Sequence, residues 1–320
     1  MRETVSGPWP HDIAVGNRGL RIPRVGLGTG LHGMVPEEQS VATIQHALER
    51  GVRFLDTAPL YGDGLAEERL GIALRGVPRD SYVLNTKVGI NSGEVSGNFD
   101  YDFSGDGIQR CLDRSLRRLG VEWIDILHIH EPEGFATQVQ EETLPVLEAW
   151  RERGLIRAIS AGVNHWGMTE PFVERLDCVL LAGRYTLLEQ GALPFLLRQR
   201  EARRPVLGAG IFNSGILATG AGTEASYNYQ AAPEEIQEQV GRLEWVCGQH
   251  DVALSQAAVQ FVAAQPAITS LIFGACSPAE LDQALQRLEL PAPAAFWQQL
   301  RGERLLDPEA PVPAGTHAGQ

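Results

Sequence analysis

A closed (β/α)8 TIM barrel preceded by a short β-hairpin is the fold this chain predicts. Three features predict it. Eight short, near-continuously apolar runs recur along the sequence, as parallel strands buried on both faces require. Longer stretches whose apolar residues fall three and four apart fill the gaps between them. No Pro/Gly/Ser-rich linker divides the 320 residues, so residues 1–320 read as one barrel domain. The ends, 1–12 and 307–320, read as flexible.

The elements follow in order. DIAVGNRGLRIP reads as a hairpin turning around Asn17. The strand-like runs begin at Arg24 (RVGLGTG), Arg53 (RFLDTAP), Tyr82 (YVLNTKV) and Ile124 (IDILHIH). They continue at Arg157 (RAISAGV), Cys178 (CVLLAGR), Pro205 (PVLGAGIF) and Ser270 (SLIFGAC). Helical stretches start at Glu37, Gly107 and Glu141 and stop at Gly51, Gly120 and Gly154, a usual C-terminal signal. A further helix opens at Ser277, with Pro278 at its first position and Glu280 three residues after the cap. A doubly wound sheet is the rival fold. It requires a GxGxxG turn that opens the first helix, and GLGTGLHG has neither that spacing nor a helix close behind it.

Bulk properties narrow the function. The composition, 43% hydrophobic and 21% charged, is that of a globular protein. A formal net charge of −13 argues against nucleic acid or an anionic membrane surface as partner. Cys111, Cys178, Cys247 and Cys276 are far apart and form no CxxC pair, so they read as reduced thiols of a cytoplasmic protein. The opening MRETVSGPWPHD lacks the apolar stretch of a signal peptide, and no apolar run reaches the length of a membrane span.

Barrel chemistry sits at the C-terminal ends of strands. The polar residues there are Thr29, Asp56, Lys87, His128, His130, Asn164, Arg184, Asn213 and Cys276. Tyr61 lies five residues past Asp56, beyond Pro59, and can lean back over the mouth. Asp56, Tyr61, Lys87 and His130 together make a proton-transfer device. A phenol is a poor acid or base near neutrality. An ammonium held by a carboxylate would lower its pKa, and an imidazole could orient a substrate oxygen. Any one of the four reads equally well as a cap or a packing residue; their joint occurrence at the ends of three successive strands favours function. His128 and His130 also form an HxH pair, which raises a metal-dependent barrel hydrolase as an alternative. The later strand ends offer Asn164, Arg184, Asn213 and Cys276, a poor ligand set, so no metal site is expected.

The segments GLGTG, FLDTAPLYGDGLAEERLG, LNTKVG, SLRRLGVEWIDILHIHEP and LIFGACSPAEL resemble the aldo-keto reductase superfamily from about Arg24 to Leu288. DFSGDGIQRCLDRSLRRLG and GIFNSGILATG are similar to its aldose 1-dehydrogenase branch, of which pyridoxal 4-dehydrogenase is a near relative. The resemblance implies an oxidoreductase in which Asp56, Tyr61, Lys87 and His130 are the catalytic tetrad and Tyr61 the general acid/base. It implies NAD or NADP lying across the rim. Gly28, Thr29, Asp56 and Asn164 would sit near its nicotinamide, and Phe212, Asn213, Ser214, Gly215 and Leu217 would cover its middle. Gly274, Cys276, Ser277 and Glu280 would lie at its adenosine phosphate, where helix N-terminal N–H groups favour anions. GACSPAELDQAL carries no cation to pair a 2′-phosphate, and Glu280 would repel one, so NAD is expected over NADP.

The implied substrate is a sugar oxidised at C1 to the lactone, with pyridoxal or a general aldehyde or ketone as alternatives. His32, Tyr61, His130, His165 and Trp166 are expected to line its pocket, with Asn91 and Glu131 as further candidates. Trp123, between a helix and a strand, reads as packing at the barrel bottom. A nicotinamide-binding regulatory subunit with vestigial catalysis is a third reading, and the intact tetrad argues against it.

Overall fold

The computed structural model describes residues 13–314. An antiparallel hairpin comes first, β1 (Ile13–Val15) and β2 (Leu20–Ile22), at the position read around Asn17. The barrel strands are β3 (Val25–Gly28), β4 (Phe54–Asp56), β5 (Val83–Val88), β6 (Ile124–His130), β7 (Ile156–Val163), β8 (Cys178–Ala182) and β9 (Val206–Ala209). A small hairpin, β10 (Ser226–Tyr227) and β11 (Gln230–Ala231), precedes the last of them, β12 (Ile268–Gly274). Each strand pairs in parallel with its neighbour, and β12 pairs with both β9 and β3, which closes the barrel. All eight barrel strands fall on the eight apolar runs of the sequence.

Two apolar clusters hold the fold. Phe54, Ile126, Ala158, Cys178, Leu180, Leu207 and Ile272 pack together with Val15, Leu20 and Ile22 of the hairpin. The hairpin therefore plugs the end where the strands begin and leaves the other end open for chemistry. A larger cluster lies between the strands and the surrounding helices. Its helical walls include Glu37–Glu49, Leu65–Ala73, Gly105–Leu119, Leu144–Glu152, Glu234–Gln249 and Leu254–Ala263. The caps agree with the sequence. Gly120 closes its helix at φ 67°, and the Ser277 hydroxyl accepts the Glu280 N–H at 3.2 Å.

One connection departs from the strand–helix pattern: β7 and β8 are joined by two short 3-10 turns, Trp166–Met168 and Val173–Arg175. Gly167 and Pro171 fall in that connection, and both oppose a regular helix. The described part of the end from residue 307 contacts the barrel. Ala310 is buried and its carbonyl accepts from Arg301, while the Asp307 N–H donates to the Gln190 side chain. Residues 1–12 and 315–320 lie outside the described residues.

One buried contact ties the walls to the site. Thr86 points outward from β5, beside the inward-pointing Lys87, and donates to Glu67 Oε1 at 2.6 Å. Arg118 donates to Glu67 Oε2 at 2.8 Å through Nε. Glu67 thus fastens the helix that follows Tyr61 to the strand that carries Lys87. Replacing it with Ala strands a partly buried guanidinium and a buried hydroxyl. Glu67→Ala should cost about 3–5 kcal/mol, read as a lower denaturant midpoint at unchanged m-value.

Candidate active site

Period-2 alternation decides which side chains enter the barrel. On β6 the side chains of Ile126, His128 and His130 share the inward face. On β5 the same rule sends Asn85 and Lys87 inward, and on β4 Asp56 shares the inward face of Phe54. Lys87 Nζ donates to Asp56 Oδ2 at 2.8 Å and to the Thr57 carbonyl at 2.8 Å. It also lies 4.8 Å from the centroid of the Tyr61 ring. Tyr61 and His130 meet edge-to-face, with ring centroids 6.1 Å apart. Four groups from the ends of three neighbouring strands and one loop thus converge at one mouth.

The Tyr61 loop is built to hold its shape. Gly62, Asp63 and Gly64 all take positive φ, at 57°, 52° and 100°. A Cβ on Gly33 would come within 2.5 Å of Gly62 Cα, so the loop after β3 and the Tyr61 turn pack backbone to backbone. The loop after β5 clasps the turn from the other side. Asp63 Oδ1 accepts the N–H groups of Gly93 at 2.8 Å and Glu94 at 3.0 Å, and Glu94 accepts the Gly62 N–H in return.

Burial dominates the electrostatics. It raises the Asp56 carboxyl against the opposing pull of Lys87. Burial and then the Lys87 charge hold His130 well below the usual histidine range, so its ring is neutral near pH 7. His128 is depressed for the same reasons and by His130; its Nε2 lies 3.5 Å from Asp56 Oδ1. Tyr61 departs from expectation. Its phenol is pushed well above the ordinary value, first by burial and then by the Asp56 charge. The ammonium that was expected to lower it is largely cancelled by its own carboxylate partner.

With this geometry in view, comparison with known proteins is decisive. The aldo/keto reductase family matches residues 24–303. The chain is an aldo-keto reductase. It is 34% identical to pyridoxal 4-dehydrogenase of Microbacterium luteolum, over 92% of this chain and 97% of that protein. It is 33% identical to D-threo-aldose 1-dehydrogenase of a Pseudomonas species, over 90% and 96% respectively. The fold superposes on an aldo-keto reductase of Bacillus halodurans in its holo form with a TM-score of 0.79 at 22% identity, covering 95% and 98% of the two chains. An aldo/keto reductase of Klebsiella pneumoniae in complex with NADP and acetate gives a TM-score of 0.71 at 21% identity, covering 96% and 99%. This aldo-keto reductase is thus an oxidoreductase, and the hydrolase alternative has no support. Among the described residues no group of three His, Cys, Asp or Glu is placed to hold a metal.

The residues expected to receive a nicotinamide cofactor follow β3, β7, β9 and β12, of which β9, β12 and β3 are neighbours in the barrel. Gly28 and Thr29 end β3, and the Thr29 hydroxyl and N–H both donate to the Asp56 carbonyl, at 3.1 and 2.9 Å. Asn164 follows β7, Ser214 and Gly215 follow β9, and Gly274 to Ser277 lead into the helix Pro278–Glu289. Asn213 and Ser214 take positive φ, at 45° and 58°, which bends the backbone of the β9 loop into a concave turn. The partly buried Phe212 precedes it. These features suit an extended anionic cofactor. Glu280 Oε2 accepts the Cys276 N–H at 2.8 Å, so its carboxylate is fixed on this loop.

Three expected site residues turn inward instead. His32 is fully buried, with Nδ1 2.8 Å from Ser40 Oγ and Nε2 2.8 Å from the Ala275 carbonyl. The carbonyl can only accept, so Nε2 carries the proton and Nδ1 accepts from Ser40. His32 braces the β3 loop against the end of β12. Leu217 is fully buried in the outer core and has no surface to offer a cofactor. The Asn213 side chain is spent on Thr186 and on the Gly183 carbonyl, which leaves only its backbone to the rim. His165 and Trp166 do sit by the mouth-side loop after β7, stacked with centroids 4.6 Å apart. Trp123 lies before β6, under the guanidinium of Arg79 at 3.5 Å, at the barrel bottom as expected. Asn85, buried one interior position below Lys87, escaped sequence reading because it sits within a run rather than at its end.

Glu131 is the residue whose environment stands apart. It follows His130, is half-buried and takes φ 45°. Burial lifts its carboxyl to about 7, against the Arg184 charge. Between 4.5 and about 7 the folded chain holds more proton at Glu131 than the unfolded chain does, so the group subtracts stability as pH rises through that window. Allowing for partial exposure, the penalty at pH 8 is on the order of 1–2 kcal/mol. Glu131→Gln should therefore raise the melting temperature at pH 8 and leave it nearly unchanged at pH 5. An equal offset at both pH values would contradict this.

Proposed function

We propose that this aldo-keto reductase oxidises a sugar at C1 to the lactone with a nicotinamide cofactor, with Tyr61 as the acid/base group. The observation that carries the reading is the convergence of Tyr61, the Lys87–Asp56 pair and a neutral His130 at one barrel mouth. The substrate class draws on the sugar and pyridoxal dehydrogenases to which the chain is similar. Oxidation of pyridoxal is the second reading, since that dehydrogenase is 34% identical over nearly the whole chain.

A nicotinamide cofactor held along the rim by Thr29, Asn164 and the β9 and β12 loops would supply the hydride acceptor. Tyr61 receives the hydroxyl proton as the carbon–oxygen double bond forms, and in reverse it returns that proton to a carbonyl oxygen. A buried phenol is an effective donor; as a base it works against burial and the Asp56 charge, and the Asp56-paired Lys87 is the cation that faces its ring, 4.8 Å from the centroid. Asp56 and the Thr57 carbonyl fix the lysine. His130, neutral, offers an uncharged N–H to the reacting oxygen and so orients it without competing for the proton.

Tyr61→Phe removes the proton carrier and little volume. Its kcat should fall about 10²–10⁴-fold while cofactor affinity, followed by nicotinamide fluorescence, stays close to that of the parent. Turnover at the parental rate would reject this mechanism. The rim predicts cofactor choice as well. With Glu280 and Cys276 where a 2′-phosphate would require cations, kcat/KM should favour NAD over NADP by at least about tenfold, as like-charge juxtaposition costs more than 1.4 kcal/mol. Initial rates with each cofactor at matched concentrations measure it.

A further inference from the structure

We propose that Glu131 is a substrate-recognition residue that selects hydroxylated substrates, its carboxylate accepting a hydrogen bond from the hydroxyl on the carbon next to the reacting one. The proposal rests on the sugar-oxidising reading above. None of the proton-transfer groups requires this side chain, yet four observations show that it is placed with care.

The first is position. Glu131 is the residue after His130, so its Cα lies about 3.8 Å from that of the group proposed to hold the reacting oxygen. Oxygens on adjacent carbons of a sugar are about one hydrogen-bond length apart. Neighbouring acceptor and donor side chains on one strand end therefore match a vicinal pair of oxygens. The second is backbone strain. A glutamate at φ 45° is held in the left-handed region, at a cost of roughly 1–3 kcal/mol. Its N–H is pinned to the Gly162 carbonyl at 3.0 Å, which keeps the chain in that turn.

The third is preorganisation. Asn164 Nδ2 donates to Glu131 Oε2 at 2.9 Å, and Arg184 Nε holds the Asn164 carbonyl at 2.7 Å. Arg184 is in turn anchored by Glu189 at 3.2 Å and by Asn228 at 3.0 Å. One carboxylate oxygen is thus locked, and Oε1 accepts no hydrogen bond from a described residue. The fourth is reach. The Glu131 charge acts on Tyr61, Tyr101 and Tyr229, phenols contributed by three different loops. Glu131 therefore belongs to the shared mouth rather than to the outer surface. An acceptor fixed on one oxygen, open on the other and adjacent to the reacting position is suited to a hydroxyl donor. It offers a plain aldehyde nothing.

The test compares the parent with Glu131→Gln and Glu131→Ala on an aldose, on its 2-deoxy analogue and, in the reductive direction, on a short unsubstituted aldehyde. The parent should lose about 10- to 100-fold in kcat/KM on removal of the 2-hydroxyl, as expected for a hydrogen bond to a charged acceptor. In Glu131→Ala that ratio should collapse towards one, and in Glu131→Gln, which keeps a neutral acceptor, it should fall part-way. With NAD saturating, the kcat/KM of both variants on the deoxy sugar and on the aldehyde should fall by a smaller factor than on the aldose. Equal losses on all three substrates would mean a structural role only, and an unchanged ratio would mean no contact; either overturns the proposal. If the parent oxidises no aldose, the sugar reading falls and the proposal falls with it. If the parent does and the variants keep its ratio, only the role of Glu131 is lost.

Discussion

Lys87 is 1% exposed inside a closed barrel, and its nitrogen is satisfied by one carboxylate oxygen and one backbone carbonyl. An ammonium taken out of water without such partners costs several kcal/mol, and removal of either charge of a buried pair leaves the other uncompensated. The Lys87–Asp56 contact therefore constrains both strands that carry it. β4 and β5 must be neighbours, and the two side chains must both point inward. Asp56 pairs across the strands with Asn85, two residues before Lys87, and that register lets the lysine reach back to it. Thr86, facing the other way, meets Glu67, so the same strand is fixed from outside as well as from within.

That pairing also shapes the chemistry. Because the carboxylate largely cancels the ammonium, the pocket does not carry a free positive field that would ionise Tyr61. Desolvation then governs all the groups at the mouth. The phenol keeps its proton and the two imidazoles stay neutral. The mouth is a place where protons are held until a reaction moves them. Glu131 belongs to the same regime: burial works against its charge, and a hydroxyl donor would favour it.

The strands and the polar groups at their ends were legible in the sequence because both follow from period-2 alternation. A run such as IDILHIH that is apolar throughout must be buried on both faces, and the polar residues at its end must then face a shared opening. Loop residues obey no such rule. His32 follows a strand as pocket residues do, yet the β3 loop turns it onto Ser40 and Ala275. Leu217 and Asn213 lie in a loop that folds back on the core, so neither presents its side chain to the rim. The β7–β8 connection carries Gly167 and Pro171, which oppose a regular helix, and it forms two 3-10 turns instead. The end from Asp307 has a polar, proline-rich composition that suggests flexibility; contacts with Arg301 and Gln190, distant or unrecognisable in sequence, hold it.

By itself, then, the sequence determined the barrel, the hairpin before it and the identity of the groups that meet at its mouth. These are consequences of local periodicity, which a chain carries in the order of its residues. The tertiary structure alone decided the protonation of Tyr61, the neutrality of His130 and the isolation of Glu131 with one oxygen held by Asn164. Each of those depends on how completely water is excluded and on which charges stand within reach. Neither quantity exists until strands distant in the chain have closed around one another.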